Sequence, residues 1–191
     1  MNLTVVICHY KENLDWVERL VHNHVVYNKN QEKRDYFKYN LDNYGFDTIA
    51  YITYVVDNYD SLPDYICFSQ DNPFYHCGNF LEKVNNFDFK TEYLPLGATY
   101  FRDNAQIIDK SINYAKEIGL EITLPIKFIN SAQCIVSKNL ILKNNLELYK
   151  KILNSYHKDK VITDLNYTIE YLWPSIFHFN NELNISITNC Q

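Results

Sequence analysis

Leu3-Thr4-Val5-Val6-Ile7-Cys8 is an apolar, largely β-branched run close to the first residue, and it decides the fold class. A strand that is buried on both faces of a parallel sheet has such a run, whereas a strand with one solvent face alternates. We therefore predict a buried parallel strand here, which ends at the polar loop His9–Glu12.

The segments that follow alternate between helix and strand. In chain order we predict a helix over Leu14–Val21 capped by Asn13, a strand over His24–Tyr27, a short strand over Tyr39–Leu41, a helix over Asp47–Tyr59 and a strand over Tyr65–Ser69. The β-branched residues of Asp47–Tyr59 also allow a strand. We favour a helix because Asp47 can cap it and Asn58–Pro63 can end it. This alternation is typical of an α/β fold with a mostly parallel central sheet flanked by helices.

The second half of the chain is less regular. The predicted elements are helices over Asn79–Val84 and Asn104–Ile118, the latter ending at Gly119, a strand over Ala132–Val136, a helix over Lys138–His157 capped by Ser137 and interrupted at Asn144-Asn145, and a helix over Thr163–Trp173 stopped by Pro174. A length of 191 residues without a linker or repeat indicates a single domain spanning residues 1–191.

The composition excludes several classes of protein. A net charge of −5 without a Lys/Arg block disfavours nucleic acid as a partner. Five scattered cysteines and no C-x-x-C pair indicate reduced thiols, so we expect a cytoplasmic protein with neither a signal peptide nor a transmembrane segment. The 17 tyrosines fit either an AT-rich coding bias or stacking on sugars, and composition does not decide between them.

Polar residues follow the ends of the predicted strands. Ligands bind open α/β sheets at the carboxyl ends of the strands, near the point where the strand order reverses. That rule places four segments on one rim: His9–Glu12, Tyr27–Lys29, Asn43–Asp47 and Gln70–Asn72.

A longer pattern carries a family resemblance. It is Asn43-x-Gly45-x-Asp47, Tyr59-Asp60-x-Leu62-Pro63-Asp64 and Phe68-x-Gln70-x-x-Pro73-x-x-His76, with Tyr10-Lys11-Glu12-Asn13-Leu14-x-Trp16 before it and Glu170-x-Leu172-Trp173 after it. The pattern resembles a family of glycosyltransferase-like proteins, catalogued as a domain of unknown function and related to GT-A glycosyltransferases, one of them encoded by a large virus. The resemblance implies a single GT-A-like (Rossmann-like) domain.

The same resemblance implies a site for a nucleoside-diphosphate sugar, with a uridine nucleotide as the first candidate. The implied binding residues are His9, Tyr10, Glu12, Asn43, Gly45, Asp47, Gln70, Asp71 and Asn72. Gln70-Asp71-Asn72 occupies the place of the acidic DxD motif that holds Mn²⁺ or Mg²⁺, and His178 is a second implied metal ligand. Glu170 is the implied base that deprotonates a glycan acceptor, with Asp164 as the reserve.

Two departures from the family pattern leave alternatives open. Only Asp71 is acidic in the DxD position, and Phe46 stands where a basic residue is expected, so that a cation for phosphate would come from Lys11, Lys29 or Arg102. The expected function is metal-assisted sugar transfer. The alternatives are a non-catalytic nucleotide- or glycan-binding module of the same fold, and a structural partner without a pocket at the strand ends.

Overall fold

The computed structural model describes residues 1–101, 105–122, 126–129, 132–158 and 163–178. The strands are β1 Leu3–His9, β2 Asn23–Asn28, β3 Tyr39–Asn40, β4 Tyr65–Gln70, β5 Tyr93–Pro95, β6 Thr99–Phe101, β7 Lys127–Ile129 and β8 Cys134–Ser137. The helices are α1 Phe46–Asn58, α2 Phe80–Asn85, α3 Ala105–Ile118, α4 Lys138–Ile141, α5 Leu146–Lys158 and α6 Thr163–Ile176. This architecture confirms the predicted α/β class.

The central sheet has six strands in the order β3-β2-β1-β4-β8-β5, and β6 pairs only with β7. Strand β1 pairs in parallel with β2 on one side and with β4 on the other. Its apolar run is buried as predicted, because Leu3, Val5 and Ile7 face one side of the sheet and Val6 and Cys8 face the other. The strand order reverses between β1 and β4, so the crevice expected to bind ligands lies at their carboxyl ends.

The sheet is mixed rather than purely parallel. Strand β8 pairs antiparallel with β4 and with β5, whereas β3, β2, β1 and β4 are parallel. The predicted strand over Ala132–Val136 is confirmed as β8, but its direction was not predictable. All four residues of β8 are buried, and a strand buried on both faces has the same apolar pattern in either direction.

Helices cover both faces of the sheet. One face packs against α1, α5 and α6 through a large core that includes Ile49, Tyr51, Tyr149 and Trp173. The other face packs against α2 and against a short turn that contains Trp16. None of the helices in the described ranges is long and apolar enough to cross a membrane.

The predicted helix over Leu14–Val21 is wrong. The chain forms only a 3₁₀ turn over Asp15–Arg19, and Asn13 bonds the backbone N–H of Asp15 (2.6 Å) instead of capping an α-helix. The turn is short because it buries only Trp16 and Val17, and the indole of Trp16 donates to the carbonyl of Asp71 (2.8 Å).

Two predicted helix ends also differ. Helix α1 starts from Gly45 in the left-handed conformation and has no side-chain cap, so Asp47 does not cap it. Helix α6 continues past Pro174 to Ile176, and the N–H of Phe177 still bonds the carbonyl of Trp173 (3.0 Å). A proline inside a helix costs about 3 kcal/mol, which the burial of Trp173, Ile176 and Phe177 offsets.

The other predicted helices and strands are confirmed, whereas β5, β6 and β7 were not predicted. Gly119 ends α3 with φ of +79°, and Ser137 caps α4 by accepting from the N–H of Leu140 (3.2 Å). The predicted break at Asn144-Asn145 separates α4 from α5. Four of the cysteines, Cys8, Cys67, Cys77 and Cys134, are buried and are not in disulfide bonds, while Cys190 lies outside the described residues.

Candidate functional site

The four polar segments meet at one rim, as the sequence predicts. The N–H of Lys29 bonds the carbonyl of His9 (2.8 Å), and the Lys29 ammonium donates to the carbonyl of Phe46 (2.8 Å). The amide of Gln70 donates to the carboxylate of Asp47 (2.6 Å). These bonds tie the ends of β1, β2 and β4 to the start of α1.

Asp71 fastens the loop after β1 to the end of β4. Its Oδ2 atom accepts from the backbone N–H groups of Tyr10, Lys11 and Glu12 at 2.8, 3.1 and 3.1 Å. The Nδ1 atom of buried His9 lies 3.3 Å from the same oxygen. Asp71 is thus an anchor of the rim loop.

These contacts stabilise the charged form of Asp71. Burial by itself would raise its pKa, but the His9 imidazole and the three backbone N–H groups outweigh burial and lower the pKa from 3.8 to about 2. A lowered folded-state pKa gives stability that is complete above about pH 4 and is lost as the pH falls through about 2.

We expect Asp71→Asn to lower the free energy of unfolding by about 2 kcal/mol at pH 7, because it removes the charge that three backbone donors share. The difference from the wild type should shrink as the pH falls from 4 to 2. Urea unfolding at pH 7, 4 and 2.5 measures both effects.

Asp64→Asn is the matched control. Asp64 is about half exposed (52%), and its carboxylate accepts one backbone N–H, that of Asn2 (2.8 Å). It should change stability by less than about 1 kcal/mol. Equal losses in the two variants, or a loss for Asp71→Asn that is as large at pH 2.5 as at pH 7, would contradict the anchoring role.

The backbone at the start of α1 has unusual dihedral angles. Gly45 has φ of +67° and the next residue, Phe46, has φ of +41°. The first hydrogen bond of the helix runs from the N–H of Ile49 to the carbonyl of Gly45 (3.3 Å). The N–H groups of the residues before Ile49 therefore have no acceptor within the helix. The positive end of a 13-residue helix therefore faces the rim.

A buried polar cluster lies beneath this helix end. Burial lowers the pKa of Lys29, and the nearby Cys8 and Asp47 oppose that shift. Burial raises the pKa of Asp47, although the Gln70 amide and the Lys29 charge partly compensate. A carboxyl group with a raised pKa beside a cavity is typical of functional sites.

A cavity of about 210 Å³ opens at this point, between the start of α1 and the middle of α6. Its walls are formed by Phe46, Asp47, Thr48, Gln70, Ala132, Asn166, Tyr167, Glu170 and Trp173. Three residues predicted separately, Asp47, Gln70 and Glu170, therefore share one cavity. The presence of this cavity argues against the structural-partner alternative, which predicted no pocket at the strand ends.

Other predicted residues lie around the cavity without lining it. Asn43, Asn72 and Glu12 are exposed on the rim, and Tyr10 is 47% exposed. Asp164 is on the surface of α6, where its carboxylate pairs with the Lys110 ammonium at 2.6 Å. Of the two predicted catalytic carboxylates, the cavity contains Glu170 and not Asp164.

His178 does not join Asp71. Its Nε2 atom lies 3.2 Å from the side-chain oxygen of Asn144. The backbone carbonyl of Asn144 in turn accepts a hydrogen bond from the Tyr59 hydroxyl. Tyr59 follows the far end of α1, about 20 Å along the helix from the rim. His178 lines a separate cavity of about 400 Å³ with Lys143 and Lys151.

The predicted metal ligands therefore do not form a shared site. Oδ2 of Asp71 already accepts three backbone N–H groups, and His178 is at the other end of the sheet. Across the described ranges, no group of three or more His, Cys, Asp or Glu side chains could hold a metal ion. Arg102, one proposed phosphate cation, lies outside those ranges, whereas the Lys29 ammonium donates to the carbonyl of Phe46, a residue that lines the cavity.

Sequence reasoning missed the wall that α6 contributes around Glu170. Asn166, Tyr167 and Trp173 lie four and three residues before Glu170 and three residues after it. Residues three and four apart share one face of a helix, so this spacing was the available signal.

Comparison with known proteins gives a match only in the first half of the chain. A family model described as "Protein of unknown function (DUF3431)" matches residues 4–90, which is fewer than half of the 191 residues. The match includes β1, β4, the start of α1 and Asp71, and it ends before α6 and Glu170. No curated protein and no solved structure matches the chain.

Proposed function

We propose that the protein is a glycosyltransferase that moves a sugar from a nucleoside-diphosphate sugar to a glycan acceptor. The observation that carries the proposal is the cavity at the carboxyl end of β4, which combines the positive end of α1 with Asp47, Gln70 and Glu170. The resemblance of the Asn43–His76 pattern to GT-A glycosyltransferases supports the same function.

The start of α1 suits a diphosphate. Helix N-termini bind anions through their free N–H groups and positive dipole. The ammonium of Lys29, held 2.8 Å from the carbonyl of Phe46, adds a positive charge close by. Lys29 would thus supply the positive charge that Phe46, standing where a basic residue is expected, does not.

The cavity volume limits what it holds. Pockets for drug-sized ligands have volumes of about 300–1,000 Å³, whereas the volume of this cavity is about 210 Å³. It matches the diphosphate or one sugar ring, while the rest of the donor would lie along the rim beside Glu12 and Asn72.

Glu170 would act as the general base. The acceptor hydroxyl attacks the anomeric carbon, its proton passes to the Glu170 carboxylate, and the bond from that carbon to the nucleoside diphosphate breaks. Asp47, whose pKa is raised by burial, would orient the donor together with Gln70. No step is assigned to Mn²⁺ or Mg²⁺, because Asp71 and His178 do not converge.

Titration calorimetry with UDP tests the proposal. We expect UDP to bind, and at a concentration about 100 times its Kd to raise the melting temperature by about 5 °C or more. Lys29→Met should weaken UDP binding at least tenfold, and Lys110→Met, on the surface of α3, should not. Absence of binding across a panel of nucleoside diphosphates and nucleotide sugars would overturn the proposal.

A non-catalytic nucleotide- or glycan-binding module is the second candidate. The observation that favours it is the use of the Asp71 carboxylate to anchor the rim loop. This candidate predicts UDP binding without hydrolysis or transfer of the sugar from any nucleotide sugar. Turnover that Glu170→Gln abolishes while UDP binding persists would rule it out.

A further inference from the structure

The exposed aromatic side chains are concentrated at one end of the sheet. In the described part of the chain, six large aromatic residues are exposed: Tyr10, Tyr36, Tyr39, Phe46, Tyr75 and Tyr167. We call this set the aromatic rim. The other large exposed apolar residues are Met1, Val21 and Leu142, and none of them is aromatic.

Topology explains why the six residues share one end. Tyr10 directly follows β1, Tyr36 lies in the turn between β2 and β3, and Tyr75 ends the turn after β4. Tyr39 belongs to β3, which pairs only with the carboxyl end of β2. Phe46 and Tyr167 line the cavity described above. Met1 and Val21, in contrast, precede the amino ends of β1 and β2.

The two most exposed rings follow different strands of the sheet. Tyr36 and Tyr75 are each 83% exposed, so most of each side chain meets water. They follow β2 and β4, which are two strand spacings apart, and the rim extends one strand further to β3. Three spacings correspond to about 14 Å, which is wider than one sugar ring.

The chemistry of the rim favours a neutral glycan. A tyrosine offers an apolar ring face and a hydroxyl that forms hydrogen bonds, and five of the six residues are tyrosines. The C–H faces of pyranose rings stack on such surfaces while their hydroxyls bond the tyrosine tips. The rim thus matches a ligand that is itself both apolar and rich in hydroxyls.

Charge argues against the competing partners. Nucleic acids and anionic membranes need clustered cations, and the chain has a net charge of −5. The exposed rim turn that bears Tyr36 contains Glu32, Lys33, Arg34 and Asp35, which together carry no net charge.

We propose that the aromatic rim binds a neutral glycan chain, so that the acceptor is an oligosaccharide or a polysaccharide rather than a single sugar. That the glycan acts as the acceptor rests on the proposed function, whereas its binding to the aromatic rim does not. The rings beside the cavity, Phe46 and Tyr167, would hold the unit that reacts, and Tyr36 and Tyr75 would hold units further along.

Calorimetry with a panel of neutral hexasaccharides (cellohexaose, maltohexaose, mannohexaose and the chitin hexamer) tests the proposal, with the matching monosaccharides alongside. We expect at least one hexasaccharide to bind at least tenfold more tightly than its monosaccharide. The double variant Tyr36→Ala/Tyr75→Ala should weaken that binding at least tenfold. Val21→Ala/Leu142→Ala, which removes exposed apolar groups from the other end, should leave it unchanged.

The outcomes separate this proposal from the proposed function. Failure of every hexasaccharide to bind, equal losses in the two double variants, or binding to phosphatidylcholine–phosphatidylserine vesicles in place of glycans would each overturn the glycan-binding rim. If UDP still binds to Tyr36→Ala/Tyr75→Ala, the loss of glycan binding in that variant is due to the rim and not to damage at the nucleotide site. Glycan binding without UDP binding would overturn the proposed function and leave the rim standing.

Discussion

Gly45→Ala is expected to lower the free energy of unfolding by about 3 kcal/mol, from two separate causes. Gly45 has φ of +67°, which costs a residue with a side chain about 1 kcal/mol or more. A Cβ atom at this position would also lie 2.9 Å from the ring of Tyr156 and 3.2 Å from Cβ of Ile49. Tyr156 is buried at 2% exposure, so its ring cannot move aside freely.

Gly119→Ala separates the two causes. Gly119 has a similar φ of +79°, but the nearest atom to an added Cβ is the flexible ammonium of Lys151 at 3.9 Å. It should therefore lose only about 1 kcal/mol, the conformational part. Urea unfolding of both variants gives the difference. Equal losses would show that the contact with Tyr156 contributes nothing.

The same substitution should reach the candidate site. Gly45 sets the backbone of Phe46, whose carbonyl accepts the Lys29 ammonium, and it directs the first turn of α1 toward the cavity. A shift of this turn would move the N–H groups that we propose bind the diphosphate. Gly45→Ala should thus weaken UDP binding as well as stability, whereas Gly119→Ala should affect stability alone.

Glu170→Gln should lower the rate of sugar transfer by about 10²–10⁴-fold, the usual contribution of a general base. Glutamine keeps the shape of glutamate but cannot take up the proton of the acceptor hydroxyl. Because Glu170 belongs to α6 and the proposed diphosphate site is the start of α1, UDP affinity should change less than threefold. Transfer from a nucleotide sugar to the hexasaccharide that binds best, followed by chromatography, measures the rate.

Asp164→Asn is the matched control for the catalytic base. Asp164 is on the same helix as Glu170 but pairs with Lys110 at the surface and does not line the cavity. An exposed ion pair contributes about 0–1 kcal/mol, so stability and transfer should both stay close to the wild type. A large loss of transfer in Asp164→Asn, with Glu170→Gln active, would reverse the assignment of the base.

Part of the site was predictable because parallel strands end at one edge. The loops at His9–Glu12, Asn43–Asp47 and Gln70–Asn72 are far apart in the chain, yet the strand-end rule brought them together. The bonds Gln70–Asp47 and Asp71–Tyr10 confirm that juxtaposition. The same order of elements explains why Asp64 is part of the scaffold, since it exchanges two hydrogen bonds with Asn2 at the opposite edge.

The roles of single residues were harder to predict. Asp71 follows a buried strand, which suits either a ligand contact or an anchor, and only the positions of the three N–H groups distinguish these. Asp47 occupies a good position for a helix cap, but α1 begins one residue earlier, at Phe46, and the Asp47 carboxylate accepts from the Gln70 amide instead. Pro174 predicts a helix end, and the buried rings of Trp173 and Phe177, stacked 5.1 Å apart, override it.

The apolar run Leu3–Cys8 and the alternation after it determined the α/β class and the edge of the sheet where the polar loops meet, because burial on both faces and strand direction leave a pattern in the residues themselves. Only the tertiary structure decided that β8 is antiparallel, that Glu170 rather than Asp164 lines the cavity, and that His178 lies far from Asp71. These facts depend on how α6 packs across the sheet, and contacts between distant segments leave no periodicity in the sequence.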